Sequence, residues 1–220
     1  GSSTPQVDKP KSGYAYNAGK YLELYCYSYE GSGLSRKAGI YAEHDLAIKV
    51  IGNCSLYMAE GCDGIKTTQN FLYVTGGPLT IYADRCGIYA GKNVTLSNGS
   101  MNNSELIIET NREECVYAGN DLTVGDYAIL NLNCKDTGNH GLGALMAENG
   151  SVSMGNRDVL VADKAYGTLK TPHSAVDVAS YPRIVIREFT DQVIVGNVKL
   201  TDGQYLAVGG TAATTAKPSG

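Results

Sequence analysis

The stretch Gly87-Ile88-Tyr89-Ala90-Gly91-Lys92-Asn93-Val94-Thr95-Leu96 decides the predicted fold, because the chain repeats it on both sides. Residues 39–48 read Gly-Ile-Tyr-Ala-Glu-His-Asp-Leu-Ala-Ile, and residues 115–124 read Cys-Val-Tyr-Ala-Gly-Asn-Asp-Leu-Thr-Val. Looser copies begin at residues 64 and 144, so successive copies start 23 to 29 residues apart. A self-similar period of this length is typical of a solenoid, in which each repeat forms one coil.

Each copy divides into three short β-prone segments separated by polar or glycine-rich turns. The third segments are residues 55–58, 80–83, 106–109 and 130–133. No segment of useful length has helical spacing, and parallel strands this short lack the crossover helices of an ordinary parallel sheet. Such strands pair only if the whole chain winds. The predicted fold class is therefore all-β: a right-handed, single-stranded parallel β-helix, that is, a solenoid with capped ends.

The winding predicts which side chains stack inside the coil. Equivalent positions of successive copies lie above one another, and alternate residues of each strand point inward. Three inner columns follow: Ile40, Ile65, Ile88, Val116 and Leu145 in the first, Leu46, Val94 and Leu122 in the second, and Leu56, Ile81 and Ile108 in the third.

The polar, proline-containing ends of the chain predict linkers, with an expression remnant as the alternative at the start. The two ends have similar sequences, Lys-Pro-Lys-Ser-Gly at 9–13 and Lys-Pro-Ser-Gly at 217–220. This similarity favours one bead of a longer tandem chain, and a shared composition of two polar tails is the alternative. The expected organisation is a linker in 1–12, a parallel β-helix in 13–208 and a linker in 209–220. The β-helix is expected to comprise an N-terminal cap in 14–35, repeat coils in 36–165, and irregular coils with a C-terminal cap in 166–208.

The N-terminal cap contains a strictly alternating run in residues 21–29. Period two predicts a half-buried strand with Leu22, Leu24 and Cys26 on one face. Glu23 and the tyrosines of the run are predicted on the other face.

Composition and net charge narrow the range of possible functions. The net charge is −4 and the pI is about 5.4, which argues against nucleic acid as a partner. No apolar run approaches the roughly 18 residues that membrane insertion by a helix needs. Gly is present 27 times and Tyr 16 times, which suits a turn-rich β protein.

The six cysteines are predicted to be buried free thiols, with disulfides as the alternative. Cys62, Cys86 and Cys115 lie at or just before a copy start, which predicts that they stack in successive coils. Cys54 and Cys134 fall in equivalent strands three coils apart, about 14 Å at the usual strand spacing. That separation is too large for a disulfide bond.

The Gly-Ile-Tyr-Ala-x-x-Asp/Asn-Leu-Thr-Ile pattern, with Asp-Leu-Ala-Ile-Lys-Val-Ile-Gly-Asn at 45–53, resembles bacterial extracellular parallel β-helix repeat proteins. These are the pectate-lyase-like carbohydrate-binding and cell-surface repeat family. The resemblance covers about residues 36–165. It implies secretion or cell-surface display and contact with glycans, sometimes with calcium. It supplies no catalytic residues, since neither the arginine motif of the lyases nor the aspartate and histidine motifs of polygalacturonases is present.

Outward-facing tyrosines are the candidate glycan site. If the isoleucines of the repeat point inward, the tyrosines beside them point outward, and flat aromatic rings along a rigid surface could stack on sugars. The alternative is that tyrosine is simply a good residue for an exposed strand. The candidate residues are Tyr41, Tyr89 and Tyr117 with Lys66 in one outer column, and Tyr57 and Tyr82 in a second.

Acidic residues at the coil ends are the candidate metal site. Carboxylates in line, about 4.8 Å apart, would repel one another unless a hard cation such as calcium lies among them. The alternative is a solvated edge that Arg85 and Arg112 neutralise in place of metal. The candidate ligands are Asp63, Asp84, Glu113 and Asp136.

Together these observations predict a secreted or cell-surface bacterial module that binds a polysaccharide or the glycan of a glycoprotein through its exposed tyrosines. Two alternatives stay open. One is a polysaccharide lyase or glycoside hydrolase of the pectate-lyase-like class, which would need a cleft with two or more carboxylates and a basic residue. The other is a structural spacer or adhesin stalk with uniform polar faces.

Overall fold

The computed structural model describes residues 12–17, 21–32, 36–74, 76–97, 104–125, 128–135, 143–154, 158–162, 167–170, 181–187, 192–195 and 198–201. The regular elements within these residues are β-strands. In this part of the chain no helix has the length and apolar character needed to cross a membrane.

The strands are short and follow one another closely. In chain order the first seventeen are β1 (Gly13–Asn17), β2 (Tyr21–Tyr25), β3 (Ser28–Gly31), β4 (Ala38–Ala42), β5 (Leu46–Ile51), β6 (Cys54–Met58), β7 (Asp63–Thr67), β8 (Phe71–Val74), β9 (Leu79–Ala83), β10 (Ile88–Ala90), β11 (Val94–Ser97), β12 (Leu106–Thr110), β13 (Val116–Ala118), β14 (Leu122–Val124), β15 (Leu130–Cys134), β16 (Leu145–Ala147) and β17 (Val152–Met154).

Strands β2 to β17 enter three sheets in strict rotation, which confirms the parallel β-solenoid. Sheet A has the order β1-β2-β5-β8-β11-β14-β17, sheet B contains β3-β6-β9-β12-β15, and sheet C contains β4-β7-β10-β13-β16. From β2 to β14, each strand pairs in parallel with the equivalent strand one coil later. The backbone hydrogen bonds of each coil are therefore made to its neighbours.

The three predicted inner columns are confirmed in register. Ile40, Ile65, Ile88, Val116 and Leu145 pair in sequence through sheet C. The second column gains Phe71 between Leu46 and Val94, and the third gains Leu132 after Ile108. Because each coil buries its apolar face only against neighbouring coils, these columns form one continuous core.

Sheet B ends in antiparallel strands. These are β18 (Asp158–Ala162), β19 (Gly167–Lys170) and β20 (Arg183–Arg187), added in the order β19-β18-β20-β15. Within β20, Ile184 pairs with Leu132 and Ile186 pairs with Leu130, and both isoleucines are buried. They continue the inner columns of sheet B although the strand direction reverses.

Residues 188–220 form a second compact unit. Its described part is an antiparallel pair, β21 (Gln192–Val195) and β22 (Val198–Thr201), in which Gln192 is paired with Thr201.

The alternation predicted for residues 21–29 fails after residue 25. Cys26 has a left-handed φ of 42° and is exposed, so it forms a corner rather than part of a strand. The corner resets the pleat, and Tyr29 pairs with the inward-facing Leu56. Tyr27 and Tyr29 therefore pack against the core instead of facing solvent. Glu23 is also buried, with a hydrogen bond from the Tyr25 hydroxyl that raises the Tyr25 pKa to about 12.

All six cysteines are free, and five are buried: Cys54, Cys62, Cys86, Cys115 and Cys134. The predicted stacking of three of them is imperfect. Ile88 pairs with Val116, so Cys115 lies level with Gly87 and one position away from the level of Cys86. Burial raises the pKa of both thiols, which makes the reactive thiolate scarce.

We predict that a maleimide reagent modifies one thiol rapidly in the native protein, because Cys26 is exposed and the other five are buried. Unfolding in urea should make all six thiols reactive. Mass spectrometry of the labelled protein provides the count, and Cys26→Ser should abolish the rapid phase. A second rapidly modified cysteine in the native state would contradict the described core.

A substitution at Gly87 tests the packing of the coils. A Cβ at this position would lie 2.2 Å from Ile108 Cγ2 and 2.6 Å from the Cys115 carbonyl oxygen. Gly87→Ala should therefore lower the free energy of unfolding by about 1–3 kcal/mol, the usual cost of overpacking a core. Urea unfolding measures this loss. Thr123→Ala, on the exposed outer side of β14, is the control and should change stability by less than about 0.5 kcal/mol. Equal effects of the two substitutions would be inconsistent with this packing.

Candidate functional site

The structure brings the predicted tyrosines together in two outer columns. In sheet C the order is Tyr41, Lys66, Tyr89, Tyr117 and Met146, each in register with the next. In sheet B, Tyr57 is followed by Tyr82, Glu109 and Asn133.

Stacking within these columns changes what the tyrosines can offer a ligand. The rings of Tyr89 and Tyr117 are 4.7 Å apart and 3° from parallel, and those of Tyr57 and Tyr82 are 5.0 Å apart at 12°. The Lys66 ammonium lies 4.8 Å from the centre of the Tyr89 ring, on which it makes a cation–π contact. The facing surfaces of each stacked pair therefore contact each other rather than solvent.

Tyr117 and Tyr41 have further partners outside the stacked pair of sheet C. The Tyr117 hydroxyl donates a hydrogen bond to Glu148, which raises the Tyr117 pKa. The Arg36 guanidinium lies 4.8 Å from the centre of the Tyr41 ring. These contacts stabilise a stack along the coil axis, and none of them leaves a broad aromatic platform.

The acidic residues at the coil ends are paired with cations. Asp63 is buried and lies 3.3 Å from Lys66 Nζ and 3.9 Å from Arg85 Nε. Arg85 also binds Glu113 at 2.8 Å. Among the described residues no group of three His, Cys, Asp or Glu side chains is arranged to hold a metal ion. Asp136 lies outside the described residues.

Asp84 is held by an ion pair and by further hydrogen bonds. Burial raises its pKa, but hydrogen bonds from Arg112, from the Gly61 amide and from Asn111 outweigh burial, and the pKa is lowered overall. In this part of the structure the described coil-end carboxylates therefore form salt bridges with Lys66, Arg85 and Arg112.

A groove of about 520 Å³ lies elsewhere, on the outer side of sheet A. Its walls include Tyr16 and Tyr21 of the N-terminal hairpin and the polar corner between sheets C and A. Its lining residues are Tyr16, Tyr21, Asp45, Leu46, Ala47, Asn70, Phe71, Leu72, Asn93 and Thr95.

The groove exists because the side chains in the outer column of sheet A differ in size. Ala47, Leu72 and Thr95 are in register there, and two of these three side chains are small. Tyr21 precedes Leu22, which pairs with Ile48, so its ring lies at the level of Ala47 one coil earlier. A large aromatic residue beside small ones leaves a recess, whereas equal tyrosines in sheets B and C fill their columns.

A hydrogen-bonded ladder forms the polar wall. The backbone and side-chain amides of Asn70 donate to Asp45 Oδ1 at 3.1 and 2.9 Å. Asn93 donates in the same way to Asn70 Oδ1 at 3.2 and 3.1 Å. Each side-chain amide carries two hydrogens, and the ladder uses one of them. The second N–H of each asparagine is therefore directed away from the ladder at a spacing of one coil.

The corner residues Asp45, Asn70 and Asn93 lie in the polar turns between the predicted strands, and sequence reasoning did not assign them to a site. It missed Tyr16, which belongs to β1 outside the repeat. The available signal was the outer column of sheet A, where small residues replace the tyrosines of the other two columns.

Comparison of the chain with protein-family models, with curated proteins and with solved structures finds no significant match in any of the three. The fold is a β-solenoid with three parallel sheets. The comparisons do not identify the pectate-lyase-like family that the sequence pattern resembles.

The Arg112–Asp84 pair predicts a pH-dependent contribution to stability. The folded-state pKa of Asp84 is below its ordinary value of 3.8, so the stabilisation is present above about pH 4 and is lost as the pH falls below it. Arg112→Gln should lower the free energy of unfolding at pH 7, because it removes the cation that is paired with Asp84. The difference from wild type should shrink as the pH falls through the lowered pKa of Asp84.

Urea unfolding at several pH values between 7 and 2.5 measures this effect. Arg36→Gln, which breaks the exposed Arg36–Glu43 pair, is the matched control and should change stability by less than about 0.5 kcal/mol. A loss in Arg112→Gln that is the same at every pH would show that Asp84 is not the responsible partner.

Proposed function

We propose that this β-solenoid is a glycan-binding module whose site is the groove on sheet A. The observation that carries the proposal is the groove itself: about 520 Å³, with two tyrosines at one end and a ladder of amides along one side. Binding pockets typically combine apolar or aromatic walls with a few polar groups that fix orientation. The proposed partner is the polysaccharide or glycoprotein glycan predicted from the sequence. The proposed site is this groove rather than the stacked tyrosines.

The side chains of the groove suit a sugar ring. Tyr16 is 72% exposed, and its ring and hydroxyl are free to contact a ligand on the outside of the hairpin. Leu72 is 37% exposed and offers an apolar surface for the C–H face of a sugar. The amides of Asn70 and Asn93 and the hydroxyl of Thr95 supply partners for sugar hydroxyls.

A structural spacer is the second candidate function. The stacking of Tyr89 on Tyr117, with Lys66 against Tyr89, ties three successive coils together on the outside of sheet C. Contacts of this kind stiffen the coil axis whether or not a ligand binds. A spacer and a binding module are compatible in one chain, but only the binding module requires the groove.

Catalysis by a lyase or glycosidase has less support at this groove. Hydrolysis by the common mechanisms uses two carboxyl groups that flank the scissile bond. Asp45 is the one carboxylate among the lining residues of the groove. Secretion or display at the cell surface is part of the proposal, because polysaccharides and glycoproteins are encountered there.

We predict that Tyr21→Ala lowers the affinity for a bound glycan at least about tenfold, since loss of one well-placed aromatic contact is worth about 1.4 kcal/mol. A glycan array first identifies the bound sugars, with and without a calcium chelator. Isothermal titration calorimetry then compares wild type, Tyr21→Ala and Tyr16→Ala on one of them.

Tyr82→Ala is the matched control, because Tyr82 is an exposed tyrosine on sheet B, outside the groove. It should bind with wild-type affinity, and urea unfolding should show that every variant is folded. If Tyr82→Ala loses affinity and Tyr21→Ala does not, the glycan binds at the outer tyrosine columns instead. Absence of binding to the whole array would reject the binding module and leave the spacer.

A further inference from the structure

We infer that the groove takes an uncharged polysaccharide whose chain runs along the solenoid axis and contacts three successive coils. The inference rests on the proposed glycan-binding function and specifies its ligand. Three features carry it: the way the lining residues repeat, the charge of the lining and the spacing of the hydrogen-bond groups.

The lining residues repeat along the axis. Leu46 and Phe71 pair in register and Val94 follows Phe71 one coil later. The groove is lined by the residue before this position in all three coils, namely Asp45, Asn70 and Asn93. It is also lined by the residue after it, namely Ala47, Leu72 and Thr95.

This repetition gives the groove a direction. Along the strands it uses only three consecutive positions, or about 7 Å at the usual rise per residue. Across the strands it spans three coils and continues to Tyr21 of the preceding coil, at about 4.8 Å for each step. The long dimension of the recess is therefore parallel to the solenoid axis, and a bound polymer lies along it.

The charge of the lining disfavours acidic sugars. The lining contains Asp45 and no Lys, Arg or His. Asp45 Oδ1 accepts both hydrogen bonds from Asn70, and within the described part of the chain Oδ2 has no partner. A sugar carboxylate about 4 Å from this group would weaken binding roughly fivefold even at the dielectric constant of water.

The cation on the same strand cannot compensate. Lys49 lies two residues beyond Ala47, with its ammonium 3.7 Å from Glu23 Oε1. The same ammonium is 5.3 Å from the centre of the Tyr21 ring. Lys49 is thus already held by a buried carboxylate and by the aromatic wall, and the protein as a whole carries a net charge of −4.

The polar wall offers donors at a regular interval. Asn70 and Asn93 are equivalent residues one coil apart, and each retains an amide N–H outside the ladder. A polymer with a hydroxyl or ring oxygen on every unit meets these donors in turn. An uncharged sugar chain has this property, and each unit lies beside one coil.

The test uses oligosaccharides of two to six units. The neutral panel contains glucose, mannose, xylose and galactose oligomers, and the acidic panel contains galacturonate and guluronate oligomers of the same lengths. Calorimetry at low salt should show that the affinity for a neutral oligomer rises with length and stops rising at about three or four units, one per coil. Acidic oligomers should bind at least about fivefold more weakly, and Asp45→Asn should reduce this difference.

A pair of substitutions tests the direction of the chain. Thr95→Gln fills the third coil of the groove, and Thr123→Gln places the same side chain one coil further, beyond the lining residues. Thr95→Gln should weaken binding of the longer oligomers and leave the dimer unaffected. Thr123→Gln should leave all lengths unaffected.

The outcomes separate the inference from the proposed function. Equal or tighter binding of the acidic panel, with loss in Tyr21→Ala, would overturn the uncharged ligand and keep the glycan site. An affinity that is independent of length would overturn the axial arrangement. Absence of binding to both panels, or saturable binding of an unrelated extended peptide in their place, would overturn the glycan site and the inference together.

Discussion

The register of the parallel ladder is the constraint on which the rest of the structure depends. Ile65 N donates to the Gly87 carbonyl, and Ile88 N donates to the Cys115 carbonyl, each at 2.9 Å. Repetition of this bond from coil to coil fixes which residues lie above one another. Because side chains alternate with a period of two, a slip of one residue would exchange the inner and outer columns. The apolar columns resist that slip, since it would expose Ile65, Ile88 and their equivalents to water.

The same register determines where a solenoid can bind a ligand. Equal aromatic residues in an outer column stack on each other at the coil spacing, as Tyr89 and Tyr117 do, and their facing surfaces are used within the protein. A recess needs unequal residues in register. Sheet A has such a column, with Tyr21 followed by Ala47, Leu72 and Thr95. Regular repetition therefore builds the scaffold, and a departure from it creates the groove.

Repetition also imposes a condition on polar residues. Amides can follow one another indefinitely, because each donates to the next, as in the ladder from Asp45 through Asn70 to Asn93. Carboxylates cannot, since like charges one coil apart repel. In the structure, arginines reduce this repulsion: Arg112 binds Asp84, and Arg85 binds Glu113 and lies near Asp63. An asparagine ladder and a salt-bridged edge are thus two ways of placing polar side chains one coil apart.

The sequence by itself determined the period, the three sheets and the inner columns, because the isoleucines of each copy are local signals that recur at fixed positions. It also placed Tyr89 and Tyr117 in one outer column. Only the tertiary structure decided that their rings stack, since ring orientation depends on the neighbouring coil. It likewise decided that Tyr29 turns inward after the corner at Cys26, and that Tyr16 reaches the groove from a hairpin outside the repeat. The repeats are local signals that can be recognised in the sequence. The groove instead depends on residues of different size that become neighbours only when the chain winds.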